Sequence, residues 1–431
     1  MKTFKTVTIV LAFGILFSCR KEDDLNKQPS DPKLKAPING SVTDYDEVTF
    51  EWDESTDPEN DEIDYTLFIS NDSLNWKSYS YVNSKTKISN NEQTYLYYSF
   101  EPGKKYYWKV KAENKFQVNP PQQETGEAIS KTFHFFTMPN SVINLRDTSG
   151  HEFVNLYWED PQNLDYVEIR VEPEINNLTQ PVIIDAGVQK LELTGLENGT
   201  IYTFFVKACN ILGHISKANT LRVMPLDPTQ VHDADFNIYN ITQIGEQTWL
   251  RENLRTTKWQ DGTPMENQYG DKHYVIGSQS DIYGYYYYPS SFNNSAGKNP
   301  CPYGYHVPTD EEWKELEKFL EMPEDEIDDY CDYSNTYRGE DFNVGNMLKS
   351  VTGWLDYNGE NGNGIDFYQF NLLPAGYIFN GEEIGFGELS ILYSSTNEGE
   401  YFYKYRGFYN NTSGIKYCQT NLSISIRCIK D

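Results

Sequence analysis

Between residues 31 and 226, apolar side chains recur at every second position in short segments, and this alternation constrains the fold more than any other feature. Val48, Phe50 and Trp52 share one side of Val48-Thr49-Phe50-Glu51-Trp52. Tyr65 to Ile69, Tyr95 to Phe100 and Tyr106 to Val110 repeat the pattern, with Pro, Gly, Asn and Asp between them. A period of two puts alternate residues on one face of a strand. Short strands at this spacing predict β-sandwiches. The 34 tyrosines favour strands as well.

The first residues read as an export signal. Lys2 and Lys5 supply a positive start, Val7 to Phe17 an apolar run, and Ser18 a small residue before Cys19. The run falls short of the ~20 apolar residues a spanning helix needs. Leu16-Phe17-Ser18-Cys19 resembles a lipobox, which implies cleavage before Cys19, lipidation of Cys19 and stable anchoring by several acyl chains. An ordinary secretory signal is the alternative. Arg20-Lys21-Glu22-Asp23-Asp24 resembles the charged tag that sends Bacteroidota-type lipoproteins to the outer face of the outer membrane. The polar stretch onward to about Lys35 reads as a flexible tether.

Removing the signal leaves 413 residues (431 − 18), too many for one core. The expected division is signal 1–18, tether 19–35, sandwiches 36–138 and 139–227, and a C-terminal module 228–431. The formal charge of −28 becomes −30 when Lys2 and Lys5 leave, so the chain repels phosphate backbones and nucleic acid is not an expected partner. Six cysteines suit an exported protein in which disulfides persist.

Glu101-Pro102-Gly103-Lys104-Lys105-Tyr106-Tyr107-Trp108-Lys109-Val110-Lys111-Ala112 resembles the "PGT-x-Y-x-x-x-V-x-A" stretch of fibronectin type III domains. Leu196-Glu197-Asn198-Gly199-Thr200-Ile201-Tyr202-Thr203-Phe204-Phe205-Val206-Lys207-Ala208 is similar to it. The resemblance implies a corner hydroxyl on Tyr202 and a buried tryptophan at Trp158. Cys209 reads as a small apolar filler, with a reactive thiol as the alternative. The acidic loop Asp57 to Glu62 offers Asp57, Asn60 and Asp61 as oxygen ligands for Ca²⁺, against the plainer reading of a solvated turn.

From about Val231 the texture changes to glycine, tyrosine and asparagine around one clear helix. Thr309 caps it, Glu312 completes a capping box, and Trp313, Leu316 and Leu320 recur at helical spacing behind Pro308. A shorter helix is expected across Val344, Met347, Leu348 and Val351, making the module α+β. This region resembles the Fibrobacter succinogenes major paralogous domain in ordered blocks. Asp233 to Tyr239 is similar to its opening "D-x-D-G-N-x-Y", with Phe236 where the glycine stands. Ile244 to Leu254 follows "IG-x-Q-x-W-x-x-ENL", Asp261 to Pro264 is the "DGTP" turn, and Cys301 to Trp313 follows "CP-x-GWHVP-x-x-x-EW" with Tyr305 for tryptophan. Leu373 to Tyr377, Tyr393 to Thr396 and Ser425 to Asp431 complete the series.

The resemblance implies a fold related to C-type lectins and the formylglycine-generating enzyme, in which a disulfide joins Cys301 to Cys428. Cys331 and Cys418 are candidates for a second pair, although four cysteines permit three connectivities. No catalytic constellation is expected. His134, His151, His214, His232 and His273 form no metal-ligand spacing, and His306 reads as a structural hydrogen bonder. Phosphate loops, nucleophile elbows and dinucleotide fingerprints are missing from the sequence. The sugar-binding signatures of C-type lectins are missing from the C-terminal module. Tyr283 to Tyr288 reads as a strand with one tyrosine face buried and one exposed, the alternative being a platform for sugars. A ligand is expected at the long loops Tyr357 to Ile365 and Asn397 to Thr412. The leading expectation is a non-enzymatic surface binding protein, its carbohydrate or protein ligand unnamed by the sequence. An accessory subunit of a glycan-handling envelope complex comes second, and an enzyme third.

Overall fold

The computed structural model describes residues 26–89, 96–118, 122–175, 178–266, 272–292, 298–330, 337–399 and 402–431. The chain is multidomain and predominantly β. In the first sandwich, Lys33–Ala36, Glu47–Asp53 and Lys85–Ser89 form one sheet. Facing it lie Ser41–Thr43, Phe133–Thr137, Lys105–Val118, Ile63–Ser70 and Lys77–Ser80 in that spatial order, with Gln122–Ile129 also paired to Lys105–Val118. The alternation explains the layering: Val48, Phe50 and Trp52 point inward against Leu67, Ile69, Trp108 and Val110. Phe50 meets Trp108 edge-on at 5.2 Å. Leu96 to Phe100, expected as a strand, makes only an isolated bridge at Tyr97, while Phe100 remains buried. Tyr95 lies outside the described residues.

The second sandwich repeats this arrangement. Ile143–Gly150, Phe153–Glu159 and Lys190–Thr194 make the three-stranded sheet. Val182–Asp185, Leu164–Glu172, Tyr202–Asn210 and Asn219–Val223 make the other. Trp158 is buried in the core, as the resemblance implied. Each sandwich closes its corner with a tyrosine: Tyr106 Oη accepts the Glu101 N–H at 2.7 Å, and Tyr202 Oη accepts the Glu197 N–H at 3.1 Å. Tyr202→Phe leaves the Glu197 N–H without this acceptor and is expected to cost about 1 kcal/mol by urea unfolding. An unchanged midpoint would contradict the role.

Contacts between successive modules include Phe136 against His214, ring centres 4.7 Å apart. Lys217 reaches back to Asp44 and Asp46, each at 2.6 Å. Phe236 takes the left-handed backbone at φ 65°, a conformation that favours glycine. Its ring stacks on His232 at 4.9 Å and lies under the Arg222 guanidinium of the second sandwich at 4.6 Å. The strained backbone is thereby coupled to a contact that glycine cannot make.

In the C-terminal module the first strands and the last share one sheet. Gln230–His232, Ile238–Ile244 and Gln247–Leu250 are followed in space by Ile429–Lys430 and then Tyr305–His306. A second sheet contains Leu389–Glu398, Phe402–Tyr409 and Lys416–Thr420. The helix Asp310–Phe319 forms with the expected capping box and buries Trp313 and Leu316 beside Trp249. Three expectations need correction. The shorter helix spans only Val344–Leu348, because Lys349 turns extended at φ −65° and ψ 139°, and Val351 is left exposed. Tyr283 closes the one-turn helix Ser280–Tyr283, and the strand is only Tyr286–Tyr287, with both rings buried. Of Asn397 to Thr412, Asn397 and Glu398 end one strand and Phe402–Tyr409 forms the next, so among the described residues Gly399 and Asn410 to Thr412 lie outside strands. Among the described residues, no helix is long and apolar enough to cross a membrane.

Candidate functional site

Most residues singled out by sequence are fasteners, and the others line open clefts: Asp57, Asn60 and Asp61 one in the first sandwich, and the two long loops one in the C-terminal module. Cys301 and Cys428 are joined across 127 positions. Cys418 is disulfide-bonded, and Cys331 and Cys19 lie outside the described residues. Cys209 is a buried free thiol. The acidic loop spends its central carboxylate on protein donors: Asp57 Oδ1 accepts the N–H of Glu59 at 2.8 Å and of Asp61 at 3.0 Å. The Asn114 amide donates to Asp57 Oδ2. Asn60, at φ 62°, takes the left-handed corner of this turn. Among the described residues, no group of three His, Cys, Asp or Glu side chains is placed to hold a metal ion.

His306 ties the chain end to the helix start, with Nδ1 2.7 Å from Asp431 Oδ1 and Nε2 2.8 Å from Glu312 Oε1. The hydrogen bond to Glu312 leads the causes that raise its pKa. Tyr286 and Tyr287 donate their hydroxyls to the carbonyls of Ala375 and Thr256, so these two rings offer no sugar platform. The family blocks also bind one another. Asn253 Oδ1 accepts from Arg427 at 2.7 Å, and Gln247 Nε2 donates to Glu312 O at 2.8 Å. These residues build the frame.

The cleft lies outside those blocks, and both loops singled out from the sequence contribute to it. It encloses about 360 Å³, lined by Tyr357, Asn358, Glu360 and Asn361 from one loop and by Asn410 to Ser413 from the other, over Glu340, Asn346 and Lys349. Its size falls in the range of small-ligand pockets. Glycines bring the walls together. A Cβ on Gly362 would stand 2.1 Å from the Leu355 carbonyl oxygen and 2.9 Å from Asn410 Cβ, and one on Gly364 would stand 2.3 Å from the Lys349 carbonyl oxygen. Asn410 Nδ2 donates to Leu355 O at 3.1 Å. Thr412 Oγ1 donates to Glu340 Oε1 at 2.7 Å, fixing the far wall. Gly362→Ala should force the first loop away from Asn410 and cost about 1–3 kcal/mol in a thermal or urea unfolding measurement. An unaltered midpoint would show that the loops are not packed in this way.

Lys349 is the feature that sequence reading missed. It is 2% exposed, yet no carboxylate comes within ion-pair distance among the described residues. Nζ donates to the carbonyls of Tyr409 at 3.0 Å and Thr412 at 3.1 Å and lies 4.9 Å from the Trp354 ring centre. Burial away from counter-charge pushes its pKa down to about 8. An ammonium carries three donors, and these two bonds use two of them. Beside it, Asn346 Oδ1 is buried without a hydrogen-bond partner. Elsewhere in the module, buried Arg406 bonds Asp310 and Glu317 and buried Arg338 bonds Glu317, whereas buried Arg427, like Lys349, bonds neutral acceptors: Asn253 Oδ1 and the carbonyls of Leu250 and Phe370.

The crystal structure of the chicken CNTN1 FN1-FN3 domains is 16% identical, with a TM-score of 0.24, over 47% of this chain and 66% of that one. The alignment therefore spans just under two thirds of that chain. No curated protein matches. The family model of the Fibrobacter succinogenes major domain matches residues 242–430, the part of the chain that contains the cleft.

Proposed function

We propose that this chain is a lipid-anchored protein of the outer membrane, facing the cell exterior, that binds a carbohydrate or protein ligand without transforming it. The two sandwiches serve as a stalk and the C-terminal module as a C-type-lectin-like head. The observation that carries this reading is the cleft over Lys349, where two loops meet outside the residues that hold the domain together. Its lining of amides, hydroxyls, two carboxylates and one cation suits recognition by hydrogen bonding. Pairing of the module's first strands with its last strand, stapled by Cys301–Cys428, supports the lectin-like kinship of the head. The formal charge of −28 argues against nucleic acid as the ligand.

An array of glycans and matrix proteins probed with residues 26–431 tests the proposal. Saturable binding to one ligand class is the expected result. Binding to none, with envelope proteins co-purifying instead, would replace it by an accessory role.

A further inference from the structure

We propose that the cleft is a subsite for a carboxylate-bearing sugar, a uronic-acid unit of an acidic glycan, with the Lys349 ammonium receiving the carboxylate and the asparagine amides receiving the hydroxyls. The inference rests on the binding reading above and names its ligand class.

Three observations lead to it. Lys349 lines the cleft, and among the described residues its ammonium meets two carbonyls and an indole face with no carboxylate in ion-pair distance. A buried cation without a counter-ion is costly, so an entering carboxylate gains more there than at a surface lysine. The walls carry Asn346, Asn358, Asn361, Asn410 and Asn411. Each amide offers both a donor and an acceptor, the pairing that adjacent sugar hydroxyls require. Asn346 Oδ1 already lacks a partner in this position. Finally, Glu340 and Glu360 also line the cleft. With two carboxylates nearby, a singly charged group at the floor is tolerated and a phosphate dianion is repelled. Tyr357, 47% exposed, provides a ring face at the mouth for the next sugar.

The test is calorimetric titration of residues 26–431 with trimers of galacturonate, glucuronate and mannuronate, each beside its neutral methyl ester. At least one acid should bind about tenfold or more tighter than its ester, the worth of one charge-assisted hydrogen bond. Lys349→Met should bring the acid down to the level of the ester. Lys349 is buried, so a second variant guards against misfolding: Asn346→Asp, on the partly exposed wall, adds a competing carboxylate and should reduce acid binding severalfold more than ester binding. Equal binding of acid and ester, or an acid preference retained by both variants, overturns the uronate inference. If every trimer fails while another array ligand binds, the inference falls and the binding reading stands. Failure of every array ligand sinks the binding reading itself.

Discussion

Replacing Cys301 and Cys428 together by serine is expected to lower the stability of the C-terminal module by up to about 5 kcal/mol, the largest effect of any change considered. The bond closes a loop of 127 positions, and in the chain-entropy account long loops gain most from closure. Its placement matters as much as its span. Cys301 enters just before Tyr305–His306, and Cys428 precedes Ile429–Lys430, the two strands that pair at the edge of the sheet. Those strands are two residues each, too short to hold together unaided. Urea unfolding followed by tryptophan fluorescence, with the oxidised chain as reference, measures the loss. A shift below about 1 kcal/mol would mean that the cores hold these strands without the bond.

Arg406→Leu is expected to cost about 3–5 kcal/mol, because it strands buried carboxylates. Arg406 is fully buried; its Nε lies 2.5 Å from Glu317 Oε1 and Nη1 2.8 Å from Asp310 Oδ1. Removing it leaves Glu317 with Arg338 at 2.7 Å, and Asp310 with Lys404 at 3.1 Å and Tyr417 at 2.9 Å. The same network sets a pH dependence. Burial pushes the Asp310 pKa up, but Arg406, Tyr417 and Lys404 outweigh it and hold the group at about 2, below the ordinary carboxylate value of 3.8. A depressed carboxylate stabilises the fold fully above its unfolded pKa, and the contribution fades as pH falls through the folded value. Wild-type stability should therefore decline by about 2 kcal/mol from this group between pH 5 and pH 1, and the variant should decline less over the same range. Parallel pH profiles would contradict this assignment.

Much of the frame was legible because its causes are local. Thr309 and Glu312 are three residues apart, so the capping box that starts the helix is written in adjacent positions. Period-two alternation placed Phe50, Trp52, Trp108 and Val110 in one core, since a strand admits only two faces. The corner tyrosines bond backbone five residues upstream, again a short-range signal. The cleft was legible only in outline. Its two loops were recognisable as irregular, but the second was drawn too long because Phe402–Tyr409 pairs on both sides without clean alternation.

Lys349 was hidden for a physical reason. It follows Val344, Met347 and Leu348, and in that apolar run it reads as a helix's solvated face. What turns it inward are carbonyls of Tyr409 and Thr412, 60 and 63 positions away, and backbone acceptors carry no sequence mark. Close packing of Gly364 against its main chain was equally invisible. Phe236 illustrates the converse. Its departure from the family opening was visible, but its partner Arg222 belongs to another module. Tyr286 and Tyr287 escaped the alternation because each hydroxyl finds a carbonyl from a distant segment, which allows neighbouring tyrosines both to be buried.

The central claim is that recognition belongs to the C-terminal head and not to the stalk. The most direct measurement compares two proteins on the same glycan and matrix-protein array: residues 26–431, and residues 26–227, whose two sandwiches have their own cores. The account predicts saturable signals from the first that are lost from the second. The same signals from the sandwiches alone would contradict it.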